Sequence, residues 1–290
     1  MKFYKRILFP TDFSECADEA YEYALLMANM YNAKLHVFYA NAVYSNAFGP
    51  EFKITTNIPS DLKQSMDKYK PKYGISVDDI KKSTIKGYAT APCIIDYIKK
   101  EKIDLVIMGT HGRRGIRHML LGSVTEEVLK TAPCHIITIR KDDSVKPVPK
   151  HILVPIDFSK HSQNALIEGC NIAKSFNADL ILLHVVENPI PPAYYLTAND
   201  NTLKDLFKTA AKHSRNKLTD IVKELEIKQN FKMEVIMGHA ASSITKYASD
   251  NKIDLIVIGS HGYTGLTHFL LGSTAEKILR SATCPVMTIK

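Results

Sequence analysis

The feature that most constrains this chain is that its 290 residues say the same thing twice. Residues 109–140 lie over residues 259–290 at an offset of 150, with 15 of the 32 positions identical. Upstream, Lys102-Ile103-Asp104-Leu105 matches Lys252-Ile253-Asp254-Leu255. At the front, Ile7-Leu8-Phe9-Pro10-Thr11-Asp12-Phe13-Ser14 matches Ile152-Leu153-Val154-Pro155-Ile156-Asp157-Phe158-Ser159, now at an offset of 145. The copies therefore differ by small insertions. A repeat this long describes two whole domains, since solenoid units are only about 20–50 residues. Residues 141–150, KDDSVKPVPK, are polar with two prolines and read as a short, semi-stiff linker. The expected division is a first domain over 1–141, a linker over 142–149 and a second domain over 150–290.

Within each copy short apolar runs alternate with helical patterns. Residues 7–9, 34–39, a run ending near Gly87, 105–108 and 136–139 read as strands. Ser14 is placed to cap a helix with apolar positions at Ala20, Tyr23, Ala24, Met27 and Ala28. Further helices are expected through Ile94, Ile95 and Ile98, and over 124–130. Strands separated by helices predict an α/β fold with a parallel sheet covered on both faces. The second copy's middle helix is the clearer, with Leu203, Leu206, Phe207, Ala210, Leu218, Ile221, Val222 and Leu225 at helical spacing. The first copy's segment over 41–77 carries Pro50, Pro59 and Pro71, so its cover should differ.

The sharpest chemical signal follows the strand at 105–108. Gly109-Thr110-His111-Gly112, nine residues, then Gly122-Ser123 recurs as Gly259-Ser260-His261-Gly262, nine residues, then Gly272-Ser273. In an open parallel sheet ligands sit outside the C-terminal strand ends. Glycines there let backbone N–H groups approach phosphate oxygens without a Cβ in the way. Ser123-Val124-Thr125-Glu126 and Ser273-Thr274-Ala275-Glu276 both fit S-x-x-E, which predicts a capping box opening a helix. A helix N-terminus offers free N–H donors and partial positive charge. Gly122, Ser123, Val124, Gly272, Ser273 and Thr274 are thus expected to line phosphates. Met108 and Ile258, which close the strands that deliver these loops, are expected among the nucleotide-binding residues, as are Pro10, Thr11, Pro155 and Ile156.

An acid follows the first strand of each copy: Asp12 after Pro10 and Thr11, Asp157 after Pro155 and Ile156. Each could accept from an adenine amino or ribose hydroxyl group, or cap the next helix. His36-Val37 and His184-Val185 run toward the same edge, where backbone groups could read a base. His111 and His261 are conceivable general bases, although a histidine in a turn is more often structural. His118 and His268 lie seven residues further on, which is not a metal-ligand spacing.

These motifs resemble the universal stress protein family in its tandem two-domain form, over nearly the whole chain. The G-x-x-G-x9-G-S pattern is that of the family's ATP-binding branch, and the strand followed by P-T-D-F-S also fits. The resemblance implies two tandem flavodoxin-like or Rossmann-like domains, each with a five-stranded parallel sheet. It implies that Asp12 and Asp157 serve the adenosine end and that backbone at Val37 and Val185 contacts the base. Gly109, Gly112, Gly122 and Ser123, with Gly259, Gly262, Gly272 and Ser273, would form the phosphate cradles. Thr11 becomes Ile156, so the second site would lose a hydroxyl. The resemblance also implies an intramolecular pseudo-dimer through residues 136–139 and 286–289, and it leaves homodimers open.

The expected function is an adenine-nucleotide-binding stress or signalling protein with up to two sites, taking ATP, ADP or AMP, with Mg2+ carried by the phosphates. The alternative is a slow ATPase or nucleotidyl-transfer enzyme, for which the sequence supplies no evident base, arginine finger or metal dyad. There is neither a P-loop nor a G-x-G-x-x-G fingerprint. Net charge is +8, yet no dense Lys/Arg run or aromatic-interleaved basic stripe suggests nucleic acid. No segment approaches the roughly 20 apolar residues of a membrane helix. The five cysteines form no CxxC pair, which fits a reducing cytoplasmic setting. Arg113, Arg114 and Arg117 stand in the first nine-residue loop where Tyr263, Thr264 and Thr267 stand in the second. The first site should therefore favour triphosphate.

Overall fold

The computed structural model describes residues 4–42, 60–87, 89–111, 121–140, 148–187, 200–260 and 271–290. The first half runs β1 (Arg6–Pro10), α1 (Glu15–Tyr31), β2 (Lys34–Ala42), α2 (Ser60–Asp67), β3 (Ile80–Gly87), α3 (Thr90–Glu101), β4 (Leu105–Gly109), α4 (Ser123–Thr131) and β5 (His135–Ile139). The second runs β6 (His151–Pro155), α5 (Lys160–Phe176), β7 (Asp179–Val186), α6 (Asp200–Glu224), β8 (Phe231–Met237), α7 (Ala240–Asp250), β9 (Leu255–Gly259), α8 (Ser273–Ser281) and β10 (Val286–Ile289).

Each half is a five-stranded parallel sheet in the order 3-2-1-4-5. That is the doubly wound order of the Rossmann class, not the 2-1-3-4-5 order of flavodoxins. Period-2 alternation explains the double cover. In β1, Ile7 and Phe9 pack into one core layer with α1, whereas Leu8 packs into the opposite layer with α3 and α4. The second half divides the same way, with α5 and α6 on one face and α7 and α8 on the other. Each such buried side chain contributes about 1.5–3 kcal/mol.

Local signals set the element ends. Ser14 caps α1 by accepting from Ala17 N at 3.3 Å, and Ser159 caps α5 by accepting from Ser162 N at 3.1 Å. Both helices close on an asparagine in the left-handed conformation, Asn32 and Asn177, a residue that tolerates it. The repeated Asp104 and Asp254 tie down the starts of β1 and β6. Asp104 accepts from Lys5 N and Arg6 N, and Asp254 from Lys150 N and His151 N. All five cysteines remain thiols, and Cys134 and Cys284 are buried just before β5 and β10.

β5 and β10 pair antiparallel, with Val286 opposite Thr138 and Thr288 opposite Ile136, joining the halves into one ten-stranded sheet. The C-terminal strand ends of the two halves therefore face opposite edges. The seam also carries a buried polar contact. The Tyr4 hydroxyl donates to the Glu168 carboxylate, whose other oxygen accepts from Asn171 Nδ2 at 3.2 Å.

Candidate functional site

In each half the chain leaves the central strand toward one side and later returns to the other, so strand order reverses between β1 and β4, and between β6 and β9. Connections diverge to opposite faces there, and open α/β sheets hold ligands at the C-terminal edge of such a point. The sequence-singled segments converge on it: Pro10–Asp12 after β1, Gly109 at the end of β4, and the start of α4, with Pro155–Asp157, Gly259 and the start of α8 in the second half.

The glycine loop is closed by backbone bonds. Thr110 N donates to Ile139 O (2.8 Å), and Gly122 N donates to Thr110 O (2.8 Å), bringing the chain back to the strand end before α4 begins. In the second half Ser260 N donates to Ile289 O (3.1 Å) and Gly272 N to Ser260 O (2.9 Å). A Cβ on Gly122 would stand 2.9 Å from Thr110 O, so the closure requires glycine. Gly109 and Gly259 have a packing reason of their own. A Cβ on Gly109 would stand 2.8 Å from Cys16 Sγ, and one on Gly259 2.8 Å from the His161 carbonyl carbon. Gly112, Gly262, His261, His118, His268 and the side chains expected to distinguish the nine-residue loops lie outside the described residues.

The capping box is corrected. Gly122 and Gly272, extended at φ −62° and −60°, are the N-caps, and no side chain caps either helix. Ser123 and Ser273 are thus the first helical residues, which puts Glu126 and Glu276 one position too far along to bond back. Glu126 instead accepts from Lys130 (2.6 Å), and Glu276 from Arg280 (2.7 Å). Ser123, Ser273 and Thr274 are exposed and Val124 half-buried at helix starts whose N–H groups meet no capping side chain. Met108 and Ile258, by contrast, are buried within the core at 5% and 4% exposure.

The acids are held in matching turns. Asp12 Oδ1 accepts from Ser14 N (3.1 Å); Asp157 Oδ1 accepts from Ser159 N (3.0 Å) and Ser159 Oγ (2.6 Å). The serine caps the helix and the aspartate shapes the turn before it. Between them Phe13 and Phe158 adopt φ of +64° and +67°, a left-handed backbone uncommon for a bulky residue and one that clusters at functional sites. Phe13 packs on Tyr39 (ring centroids 4.9 Å) and Phe158 on His184 (4.3 Å). Lys217 Nζ lies 4.4 Å from the Phe158 ring centre.

Two residue readings change. Thr11 continues the inward alternation of Ile7 and Phe9, so its hydroxyl points into the α1 layer. There it meets Tyr69 Oη (2.6 Å) and accepts from Phe13 N (2.9 Å), rather than being held out for a ligand. Ile156 occupies the same place, and its carbonyl lies 2.7 Å from His184 Nδ1. Burial holds the His184 imidazole below its ordinary pKa, against a smaller upward pull from that carbonyl.

Val37 and Val185 are not equivalent. Val37 pairs with Phe9 in mid-strand, whereas Val185 lies two residues past Leu183, the partner of Pro155. Phe38 pairs with Pro10, so the first-half residue at Val185's level is Ala40. Counting from Leu35 and Leu180, rather than from the shared His-Val dipeptide, would have found it. Residues not singled out from the sequence are Tyr69, Asp18, Lys68 and Lys217, whereas His184, noted there beside Val185, packs on Phe158. Tyr69 Oη donates to Asp18 (3.0 Å), and Lys68 bridges Asp18 at 2.6 Å. His111 Nδ1 stands 2.8 Å from Thr110 Oγ1.

Among the described residues no group of three or more His, Cys, Asp or Glu is placed to hold a metal, and no helix is long and apolar enough to cross a membrane.

The model of the universal stress protein family matches residues 3–140 and again 149–290. Universal stress protein Slr1230 of Synechocystis is 27% identical over 99% of this chain and 100% of its own length. Universal stress protein MJ0531 of Methanocaldococcus jannaschii is 34% identical over 49% of this chain and 82% of its own length. A solved structure from Pseudomonas aeruginosa, described as a putative universal stress protein, superposes with a TM-score of 0.68 at 18% identity, covering 99% of this chain and 93% of that one. That likeness concerns the fold. With both halves matched by the family model, the chain belongs to the universal stress protein family and carries two of its domains in tandem.

Proposed function

We propose that this chain binds adenine nucleotide at the C-terminal edge of each half, and acts in stress response or signalling by changing shape or partner affinity on binding. The carrying observation is the glycine closure. Gly122 is folded onto Thr110 O, where a Cβ would fill the space, and the next residue opens a helix with no capping side chain. The second half closes its loop with the same Gly272-to-Ser260 bond. Such an end presents N–H donors and positive potential to an anion. Gly109, Gly112, Gly122, Ser123 and Val124 hold the phosphates in this reading, with Gly259, Gly262, Gly272, Ser273 and Thr274 in the second half. Asp12 and Asp157 receive the adenosine. Magnesium travels with the phosphates, and Arg113, Arg114 and Arg117 bias the first site toward ATP. The domains extend over 1–141 and 150–290, and the protein works in the cytoplasm.

Calorimetric titration with ATP, ADP and AMP tests the reading. Saturable binding is expected, and Gly122→Glu with Gly272→Glu should abolish it while the circular dichroism spectrum is unchanged. A wild-type chain that binds none of the three overturns the proposal. Steady phosphate release above background would move the function toward hydrolysis.

A further inference from the structure

The seam between the halves does more than join two sheets. The residue that follows β5 and the residue that follows β10 each reach into the opposite half, and each ends on the same kind of helix. Arg140 Nη1 donates to the carbonyls of Arg280 (2.9 Å) and Ala282 (3.0 Å), which close α8. Lys290 Nζ donates to the carbonyl of Leu129, in the last turn of α4. α4 and α8 are the two helices whose opposite ends emerge from the glycine loops. The last carbonyls of a helix have no partner within it, and a cation there complements the helix dipole. A nine-residue helix is only about 14 Å long, so the capped end and the phosphate-facing end belong to one short rigid body.

One further contact joins the two helices across the seam, and each seam strand also holds the start of its own half's glycine loop. Arg280 of α8 lies 3.6 Å from Glu126 of α4 while also bonding Glu276. Ile139 and Ile289, at the ends of the seam strands, provide the carbonyls that hold Thr110 N and Ser260 N at the start of each loop. The start of each glycine loop is thus held by the seam strand of its own half, and the far end of the helix that follows is held from across the seam.

Resting on the nucleotide reading above, we propose that Arg140 and Lys290 are positioning residues acting across the seam, each orienting the phosphate-facing helix of the other half. Arg140 positions α8 for the second site, and Lys290 positions α4 for the first. Neither touches the ligand. Each half is then incomplete without the other, which gives the tandem arrangement a chemical purpose beyond burying β5 and β10.

The test uses the full chain in two single-site forms, Gly272→Glu leaving the first site and Gly122→Glu leaving the second, each titrated with ATP by calorimetry. In the second-site form, Arg140→Gln is expected to weaken ATP binding about two- to fivefold, the range of a lost helix-terminal charge interaction. Arg140→Lys, which keeps a cation in reach of the same carbonyls, should restore most of it. In the first-site form Arg140→Gln should leave affinity unchanged, and Lys290→Gln should show the reverse pattern. Equal losses at both sites, or none at either, with melting temperatures followed in parallel, would reduce Arg140 and Lys290 to seam packing and overturn the proposal. If neither single-site form nor the wild type binds ATP, the nucleotide reading itself fails and this proposal falls with it.

Discussion

At the C-terminal strand edge the first and second halves share a backbone and differ in the side chains laid against it. Both turn at an aspartate, carry the next phenylalanine through a left-handed conformation and close the glycine loop by the same bond. Under that frame, the first half runs a hydroxyl chain from Thr11 through Tyr69 to Asp18, where the second has apolar Ile156 beneath the 25-residue helix α6. In the middle of the sheet, His36 hydrogen-bonds Tyr97 at 2.9 Å, whereas the register places Ile181 at its position. The duplicated features are backbone geometry at one edge, and the divergent ones are core solutions behind it. Function is therefore best sought in the edge.

The largest expected difference is a response to acid. His36 is 2% exposed, and burial chiefly, helped by the Lys81 charge, lowers its pKa to about 4. The unfolded chain takes up this proton near pH 6.5 and the folded chain only near 4. The contribution of neutral His36 is therefore present above pH 6.5 and is lost as pH falls toward 4, up to about 3 kcal/mol at 1.36 kcal/mol per unit. His36→Ile, the residue of the second half, should flatten stability across that window in urea titrations at stepped pH. An unchanged slope would break the comparison.

Next come the strand-end glycines. A Cβ on Gly259 meets His161 backbone atoms at 2.8 and 2.9 Å, whereas on Gly109 its nearest contact is the Cys16 side chain, with backbone at 3.3 Å. A thiol can rotate away more cheaply than a helix start can shift. Gly259→Ala should cost about 2–3 kcal/mol and Gly109→Ala about 1–2 kcal/mol, within the usual range for overpacking. Thermal and urea unfolding of the two variants measures the difference, and equal costs would show the two approaches to be equally yielding.

Smaller still is the Tyr69 hydroxyl. Tyr69→Phe should destabilise by about 1 kcal/mol, the typical net worth of a hydrogen bond. Its effect should shrink in a Thr11→Ile background, where Asp18 alone remains as partner. A double-mutant cycle reads this coupling directly, and strict additivity would show Thr11 and Tyr69 to be energetically independent. Last, Lys217→Ala should cost about 0.5–1 kcal/mol through the contact with Phe158, measured by melting temperature against Lys68→Ala in the first half.

The duplication, the alternating elements and the placement of the glycine loops were legible because each rests on short-range patterns: apolar runs, glycine spacing and serine before a helix. What misled was also local. S-x-x-E suggested a capping box, but the glycine before it took the extended cap position and moved the serine into the helix. The His-Val dipeptide suggested equivalence, but strand register runs from Leu35 and Leu180, three residues out of step with that match. Thr11 looked available until alternation along β1 turned it inward to a tyrosine 58 positions away. Arg140 gave no local sign, since its partners are 140 and 142 residues distant and meet it only once β5 and β10 pair.

The most direct test of the central claim is native mass spectrometry of the intact chain titrated with Mg-ATP. Two nucleotide increments per chain are predicted, falling to one in Gly122→Glu or Gly272→Glu and to none in the double variant. A spectrum without any increment across the titration, from a chain whose circular dichroism shows it folded, would contradict the account.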